Sequence, residues 1–273
     1  MELIVFDLDG TLLNRHSTLS SGTRDTLAKL ADRGIAYTVA TGRTLHASRT
    51  LLAGSDFSLP HVYKNGVMIW RPDTGRYSHS RLLTPEEIRR VIEAFTAEAV
   101  TPFVFTVEPG GRHGVYHAPL RSRGEQEVAA HFGAMEGLEL LPLAELPGSA
   151  DITNISAIGP RQAIERVQLL VADEPQLMAY SGLAIEGRQL HWIDIHHSQA
   201  SKGDAIAEIK RDLGVSRVIC FGDSDNDLSM FALADESYAP SNAKAAVKAA
   251  ATAVIGHHDE DGIARFLQQR FQL

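Results

Sequence analysis

The chain opens on an unbroken apolar run, Leu3 to Phe6, and then places carboxylates at Asp7 and Asp9 before Gly10. A short run without alternation reads as a strand buried on both faces, the habit of parallel sheets. Leu19-Ser-Ser-Gly-Thr23 offers helix caps, and Leu27, Leu30 and Ala31 form one helical face that Gly34 ends. Residues 35–40 read as a second strand, followed at once by Thr41-Gly42-Arg43. A helix over 44–52 and a short strand over 60–63 complete a strand–helix–strand–helix–strand run, the signature of a parallel sheet with helices on both faces.

The pattern then changes. Residues 67–70 and 76–79 read as a hairpin around a turn at 71–75. Thr84-Pro-Glu-Glu87 carries an N-cap, a first-position proline and a capping-box glutamate, and Ile88, Val91, Ile92 and Phe95 follow at helical spacing. Phe103, Phe105 and Val107 suggest a strand, which Pro109-Gly-Gly111 breaks. A weak helix near 124–133, a Leu-, Pro- and Glu-rich loop, and a strand over 152–158 come next. Pro160 starts a helix with Ile164, Val167, Leu170 and Val171 expected inward, and strands fit 177–185 and 190–195. The β–α alternation returns at Lys202 with a helix through Ile206, Ile209 and Leu213, a strand at 218–221, a helix at 228–234, a strand near 238–240, an Ala-rich helix near 243–251, a strand at 253–255 and a final helix. The expectation is a first domain of residues 1–81 and 189–273, interrupted by an α+β domain of residues 82–188.

Composition narrows the field without choosing an activity. Of 273 residues, 44% are hydrophobic and 22% charged, which leaves room for a sizeable core. The net charge of −8 gives no support to general binding of nucleic acid or anionic membrane, although local basic groups can still hold a phosphate. Cys220 is the one cysteine, so neither an intrachain disulfide nor a cysteine zinc cluster is available, and it reads as a packed small hydrophobe. With no leader pattern and no stretch of about 20 apolar residues, the cytoplasm is the expected compartment. Oligomeric state is not legible.

The candidate chemistry lies at strand ends and helix starts. Asp7 and Asp9, at i and i+2, point to one side if the strand geometry persists. Neighbouring carboxylates repel each other, and a hard divalent ion such as Mg²⁺ is the usual remedy. The alternative is a strand followed by an ordinary acidic turn. Thr41 and Gly42 follow the second strand, Lys202 precedes a helix, and Asp223, Asn226 and Asp227 follow the strand at 218. A parallel sheet collects such ends along one edge. Together they meet the demands of phosphoryl transfer, in which charge spread over phosphate oxygens must be stabilised. Lys202 offers a point charge, Thr41 a hydroxyl, Gly42 an unobstructed N–H and Asn226 an amide. Asp223 can complete a metal shell, and Asp227 can orient Lys202.

The set Asp7-Leu-Asp-Gly-Thr11, Ala40-Thr-Gly-Arg43, Ser201-Lys-Gly203 and Gly222-Asp-Ser-Asp-Asn-Asp227 resembles the haloacid dehalogenase superfamily of phosphatases, most closely its Cof-type subgroup. The resemblance implies a doubly wound, Rossmann-like parallel sheet core with an inserted α+β cap domain that closes over the crevice and chooses the leaving group. It implies that Asp7 is the nucleophile and a Mg²⁺ ligand. Asp9 would be the acid and then the base, with its carbonyl on the metal, and Asp223 a further ligand. Leu8 N–H, Thr41, Gly42, Lys202 and Asn226 would hold the phosphate, with Arg43 and Asp227 in support, although Arg43 taken alone reads equally as a phosphate or substrate ligand or as the partner of a surface acid. Where the subgroup commonly has Met-Gly-Asn-Ala, this chain has Tyr238-Ala-Pro-Ser-Asn-Ala243, outside the catalytic positions. The expected activity is Mg²⁺-dependent hydrolysis of a small phosphorylated metabolite, with sugar phosphates favoured and neither nucleic acid nor membrane as partner. A phosphomutase and a receiver-type phospho-acceptor stay open as alternatives. Other polar residues have plainer readings. Asp225 is read as a solvated loop residue, Trp192 and Tyr180 as core, and Arg112, His113, Arg121 and Arg123 as surface. No ligand spacing supports a metal site at His196 and His197.

Overall fold

The computed structural model describes residues 2–184 and 189–273, the side chain of His79 excepted. The chain divides into two units, one of residues 1–78 and 201–273, the other of residues 79–200. The first begins with β1 (Glu2–Phe6), α1 (Ser21–Asp32), β2 (Ala36–Val39), α2 (Leu45–Leu52), β3 (His61–Tyr63), β4 (Met68–Arg71) and β5 (Arg76–His79). The cap read from the sequence at the start of α1 is made, with Ser20 accepting from the Thr23 N–H, and Thr44, expected inside its helix, instead caps α2 by accepting from the Ala47 N–H. The short strand β3 departs from expectation. It meets the end of β2 only through a parallel bridge between Ala40 and Val62, and otherwise pairs antiparallel with β4 in the order β3-β4-β5.

The second unit contains α3 (Pro85–Ala97), β6 (Phe103–Val107), β7 (His113–His117), α4 (Arg123–Gly133), β8 (Leu138–Pro142), β9 (Asp151–Pro160), α5 (Arg161–Ala172), β10 (Leu177–Leu183) and β11 (Leu190–His197). Its sheet runs in the order β10-β11-β9-β6-β7-β8, antiparallel except where β8 joins β7. The capping boxes Thr84–Glu87 and Ser122–Glu125 start α3 and α4. Strands β7 and β8 were not expected. β7 has no unbroken apolar run and the leucines of β8 are interrupted by Glu139 and followed by Pro142, so pairing with neighbouring strands completes their order. Residues 190–197, expected with the first domain, belong to this sheet because Leu190 to Ile195 pair with β9. The end of the strand expected at 177–185 and the boundary expected at 188 lie outside the described residues. Leu170, expected inward, is 49% exposed on α5, while Ile164, Val167 and Val171 pack inside. Trp192 is likewise 40% exposed rather than core. On the paired strands Tyr180 lies opposite Asp194, which accepts from Asn154 and from Ser156 Oγ.

The first unit resumes with α6 (Lys202–Asp212), β12 (Arg217–Phe221), α7 (Leu228–Leu233), β13 (Glu236–Pro240), α8 (Ala245–Ala250), β14 (Ala253–Ile255) and α9 (Gly262–Phe271). Its parallel sheet runs β14-β13-β12-β1-β2. The opening apolar run explains itself here. Ile4 and Phe6 pack with Leu27 and Leu30 of α1 and Leu267 of α9, while Leu3 and Val5 pack with Ile206 and Ile209 of α6. Both faces of β1 are therefore covered, and burying each side chain stabilises the fold by about 2 kcal/mol. From β1 the chain passes to β2 on one side and later to β12 on the other, so the order reverses between β1 and β12. Such a switch point leaves a crevice at the carboxyl ends of the two strands. Among the described residues no helix is long and apolar enough to cross a membrane.

Candidate active site

Asp7 continues the ladder of β1, its N–H donating to the Phe221 carbonyl at 2.9 Å. The next five residues, Leu8–Leu12, form a wide π-helical turn closed by Leu12 N–H on the Asp7 carbonyl and Leu13 N–H on the Leu8 carbonyl. Gly10 has φ +72°, and a Cβ there would lie 2.6 Å from Asp223 Oδ2, so the turn accepts glycine on both grounds. Thr11 Oγ1 donates to Asp223 Oδ1 at 3.1 Å and ties the turn to the loop after β12.

The ammonium of Lys202, fully buried at the start of α6, donates to Asp7 Oδ1 and Asp227 Oδ1, each at 2.6 Å. Asp227 Oδ2 accepts the N–H groups of Asp223 at 2.8 Å and Ser224 at 2.9 Å. Both Asp227 oxygens are therefore committed, which suits a residue that holds Lys202 in place. Asp7, Asp223 and Asp227 lie close enough for one carboxylate oxygen of each to share an ion. Burial raises the Asp7 carboxyl well above its usual range. Lys202 counteracts this, while Asp227 and Asp223 add to it. Burial, followed by Asp227, raises Asp223 to about 6. Burial works to lower the pKa of Lys202, yet Asp227 and Asp7 carry it above the usual lysine value. The cluster thus holds more negative charge than Lys202 neutralises, and its donors are hard carboxylate oxygens. These residues fit a divalent cation, with Asp7 and Asp223 the more available because Asp227 is already engaged.

Asp9 lies apart from that cluster. Its carboxylate is gripped by Arg43, with Nε on Oδ2 and Nη2 on Oδ1, both at 2.6 Å. Arg43 thereby takes one of the roles left open by the sequence, pairing with an acid, and the acid is the other carboxylate of the opening motif. Thr41 is buried, and its hydroxyl accepts the Arg43 N–H at 3.1 Å. A Cβ on Gly42 would lie 3.1 Å from Asn65 Oδ1. Asn226 Nδ2 donates to that same oxygen at 2.9 Å. Asp7, Lys202, Asp227, Asp223 and Thr11 thus form one hydrogen-bonded chain at the strand edge, and Asn226, on the same turn as Asp227, pairs with Asn65, a residue outside the sequence-derived set. Asn65 had a usable signal, since Lys64-Asn65-Gly66 follows β3 directly, as the other stations follow their strands.

Elsewhere the plain readings divide: His113, expected at the surface, is buried at the start of β7, where pairing with β6 covers it, while others hold. Asp225 pairs with Lys244, both about half exposed. Arg112 is bound to Glu108 and Glu139. A second group of potential ligands, His257, His258 and Asp259, has structural work. His257 Nδ1 caps the Asp259 N–H, His258 Nδ1 bonds the Leu13 carbonyl, and Asp259 pairs with Arg15. His258 N–H donates to Asn242 Oδ1 and Asn242 Nδ2 to the Gly10 carbonyl, so this loop braces the π-helical turn. Asn242 falls in the segment that departs from the subgroup's usual Met-Gly-Asn-Ala.

The first unit is thus a doubly wound α/β core whose switch point buries an acid–lysine cluster suited to a cation and an anionic substrate. The family description haloacid dehalogenase-like hydrolase matches residues 4–267. The chain is 30% identical to a 5-amino-6-(5-phospho-D-ribitylamino)uracil phosphatase of Bacillus subtilis, over 98% of each chain. It is 26% identical to a pyridoxal phosphate phosphatase of Escherichia coli, over 97% of each. A haloacid dehalogenase-like hydrolase from Bacteroides thetaiotaomicron has the same fold, with a TM-score of 0.80 at 22% identity over 99% of each chain. The chain belongs to the haloacid dehalogenase-like hydrolases and is an enzyme of their phosphatase type, with the inserted α+β unit of Cof-type members.

Proposed function

We propose that the protein hydrolyses a small phosphorylated metabolite with the aid of Mg²⁺, through an aspartyl phosphate on Asp7. The observation that carries this reading is the buried ammonium of Lys202, held 2.6 Å from both Asp7 and Asp227. An ammonium so placed keeps Asp7 in register and offers positive charge to phosphate oxygens beside it. Asp7, Asp223 and the Asp9 carbonyl would hold Mg²⁺, which when bound screens the anionic nucleophile from an anionic ester.

In the first step an Asp7 oxygen forms a bond to phosphorus as the ester P–O bond breaks. The departing alcohol oxygen takes a proton from Asp9. In the second step Asp9 takes a proton from water, the water oxygen bonds to phosphorus, and Asp7 leaves as carboxylate with inorganic phosphate as product. Splitting the reaction this way lowers each barrier. Arg43 holds both Asp9 oxygens at 2.6 Å, so Asp9 carries its proton once Arg43 gives one of them up. Leu8 N–H, Thr41, Gly42 and Asn226 supply the neutral donors around the phosphate. The relatives' names support a phosphomonoester of low mass, and a ribityl phosphate is close to the sugar phosphates favoured from the sequence.

The test is phosphate release from sugar phosphates, ribityl phosphates and pyridoxal phosphate, with and without Mg²⁺. Mg²⁺-dependent release is expected. An isomeric ester in place of free phosphate would make the enzyme a mutase, and a stable phosphorylated protein without turnover would make it a phospho-acceptor.

A further inference from the structure

Asn65 lies at the end of β3, where the chain makes an unusual turn. Lys64, Asn65 and Gly66 have φ of 48°, 55° and 105°, so left-handed residues follow one another. Lys64 and Asn65 are both buried. Non-glycine residues hold such angles only where their surroundings impose them, and they concentrate at functional sites. The surroundings here are the other stations of the site. Lys64 N–H donates to the Arg43 carbonyl and Asn65 N–H to the Thr41 carbonyl, each at 3.1 Å. A Cβ on Gly66 would lie 2.1 Å from the Ser201 carbonyl, one residue before Lys202. The Asn65 carboxamide oxygen then accepts from Asn226 Nδ2 at 2.9 Å and borders Gly42.

We infer that Asn65 is a positioning residue that fixes the direction of the Asn226 amide for a phosphate. An amide turned end for end presents an oxygen where an anion needs N–H, and repels it. By accepting one hydrogen of Asn226 Nδ2, Asn65 holds the nitrogen end on the Gly42 side and leaves the second hydrogen to donate. The inference rests on the phosphatase reading, in which Asn226 contacts the phosphate.

The experiment measures competitive inhibition by inorganic phosphate in the Mg²⁺-loaded enzyme, together with KM, kcat and the thermal midpoint. Asn65→Gly keeps the left-handed backbone and removes the amide. It is expected to weaken phosphate inhibition roughly tenfold, as loss of one hydrogen bond to a charged group does, with little change in midpoint. Asn226→Ala is expected to match it, and the double variant to be no weaker than Asn226→Ala, because both act through one bond. Additive losses, or a lower midpoint with unchanged phosphate inhibition, overturn the inference. Should Asn65→Gly not fold, Asn65→Ala serves: it also lacks an acceptor for Asn226, so phosphate inhibition per folded molecule should weaken, and unchanged inhibition overturns the proposal. If phosphate inhibits the wild type but Asn226→Ala changes nothing, the assignment of Asn226 in the proposed function fails, and this inference with it. If the wild type neither releases nor binds phosphate, the phosphatase reading itself fails.

Discussion

Two carboxylates have little direct contact with water, Asp7 in the first unit and Glu108 in the second, at 5% and 8% exposed, but Asp7 lies deep in its unit and Glu108 just beneath the surface of its own. They respond in opposite ways. Burial pushes both upward, but Glu108 ends below its usual value because the Tyr116 hydroxyl and the Arg112 guanidinium outweigh that push. Tyr116 donates to Glu108 at 2.6 Å and Arg112 Nε at 3.0 Å, both from the same hairpin. Asp7 ends raised because burial outweighs the pull of Lys202, and Asp227 and Asp223, crowding that one ammonium, add to the rise. A buried charge that its neighbours balance is a structural device. A buried charge left in surplus is poised to receive a cation or a reacting group.

The contrast is open to four tests. The largest effect is expected from Asp7→Asn, which removes the nucleophile and relieves the surplus. Turnover should fall by at least about 10⁴-fold, while the thermal midpoint stays level or rises. Turnover near that of the wild type would exclude the covalent route. Next, Lys202→Met strips the cluster of its ammonium. Transition-state stabilisation should drop by about 3 kcal/mol or more, and folding stability by about 3–5 kcal/mol from orphaned buried charge. The midpoint should suffer more at pH 8 than at pH 5, where Asp7, its carboxyl already raised by burial, can take up a proton. A loss independent of pH would contradict the surplus-charge account.

Glu108→Gln probes the balanced site. It keeps the shape, removes the charge from beneath Arg112 and should cost about 2 kcal/mol in urea unfolding. Turnover per folded molecule should be unchanged, and a fall in kcat would give Glu108 a functional part. The smallest effect concerns His61, buried between the Tyr63 hydroxyl and the Phe57 carbonyl at 2.9 Å each. Burial lowers its pKa from 6.5. Below that value the unfolded chain binds a proton that the folded chain resists. His61 therefore contributes stability above pH 6.5 that is lost as the pH falls toward its folded value. Comparing His61→Phe with wild type between pH 5 and 7.5 should show the wild type losing more on acidification. Parallel curves would refute the assignment.

How far each region could be read from the chain follows the same division. In the first unit, local signals agree with tertiary demands. The run Leu3 to Phe6 is apolar throughout because both its faces are covered, and polar residues gather where strands end. In the second unit, β7 and β8 escaped notice because pairing with neighbours makes them strands. Leu170 was read inward because helical spacing identifies a face without saying how wide a neighbouring sheet covers it.

The linear chain alone specifies the order of strands and helices in the first unit, the helix caps at Ser20 and Thr84, and the chemical types gathered at the strand ends. Those follow from local periodicity and from short-range hydrogen bonding. How the polar groups share partners is set on folding: Lys202 between Asp7 and Asp227, Arg43 on Asp9, and Asn65 against Asn226. The paired residues stand 195, 25, 34 and 161 positions apart in the chain. No local pattern specifies a distance between side chains on separate strands and helices. It is set when the sheet assembles and the core excludes water.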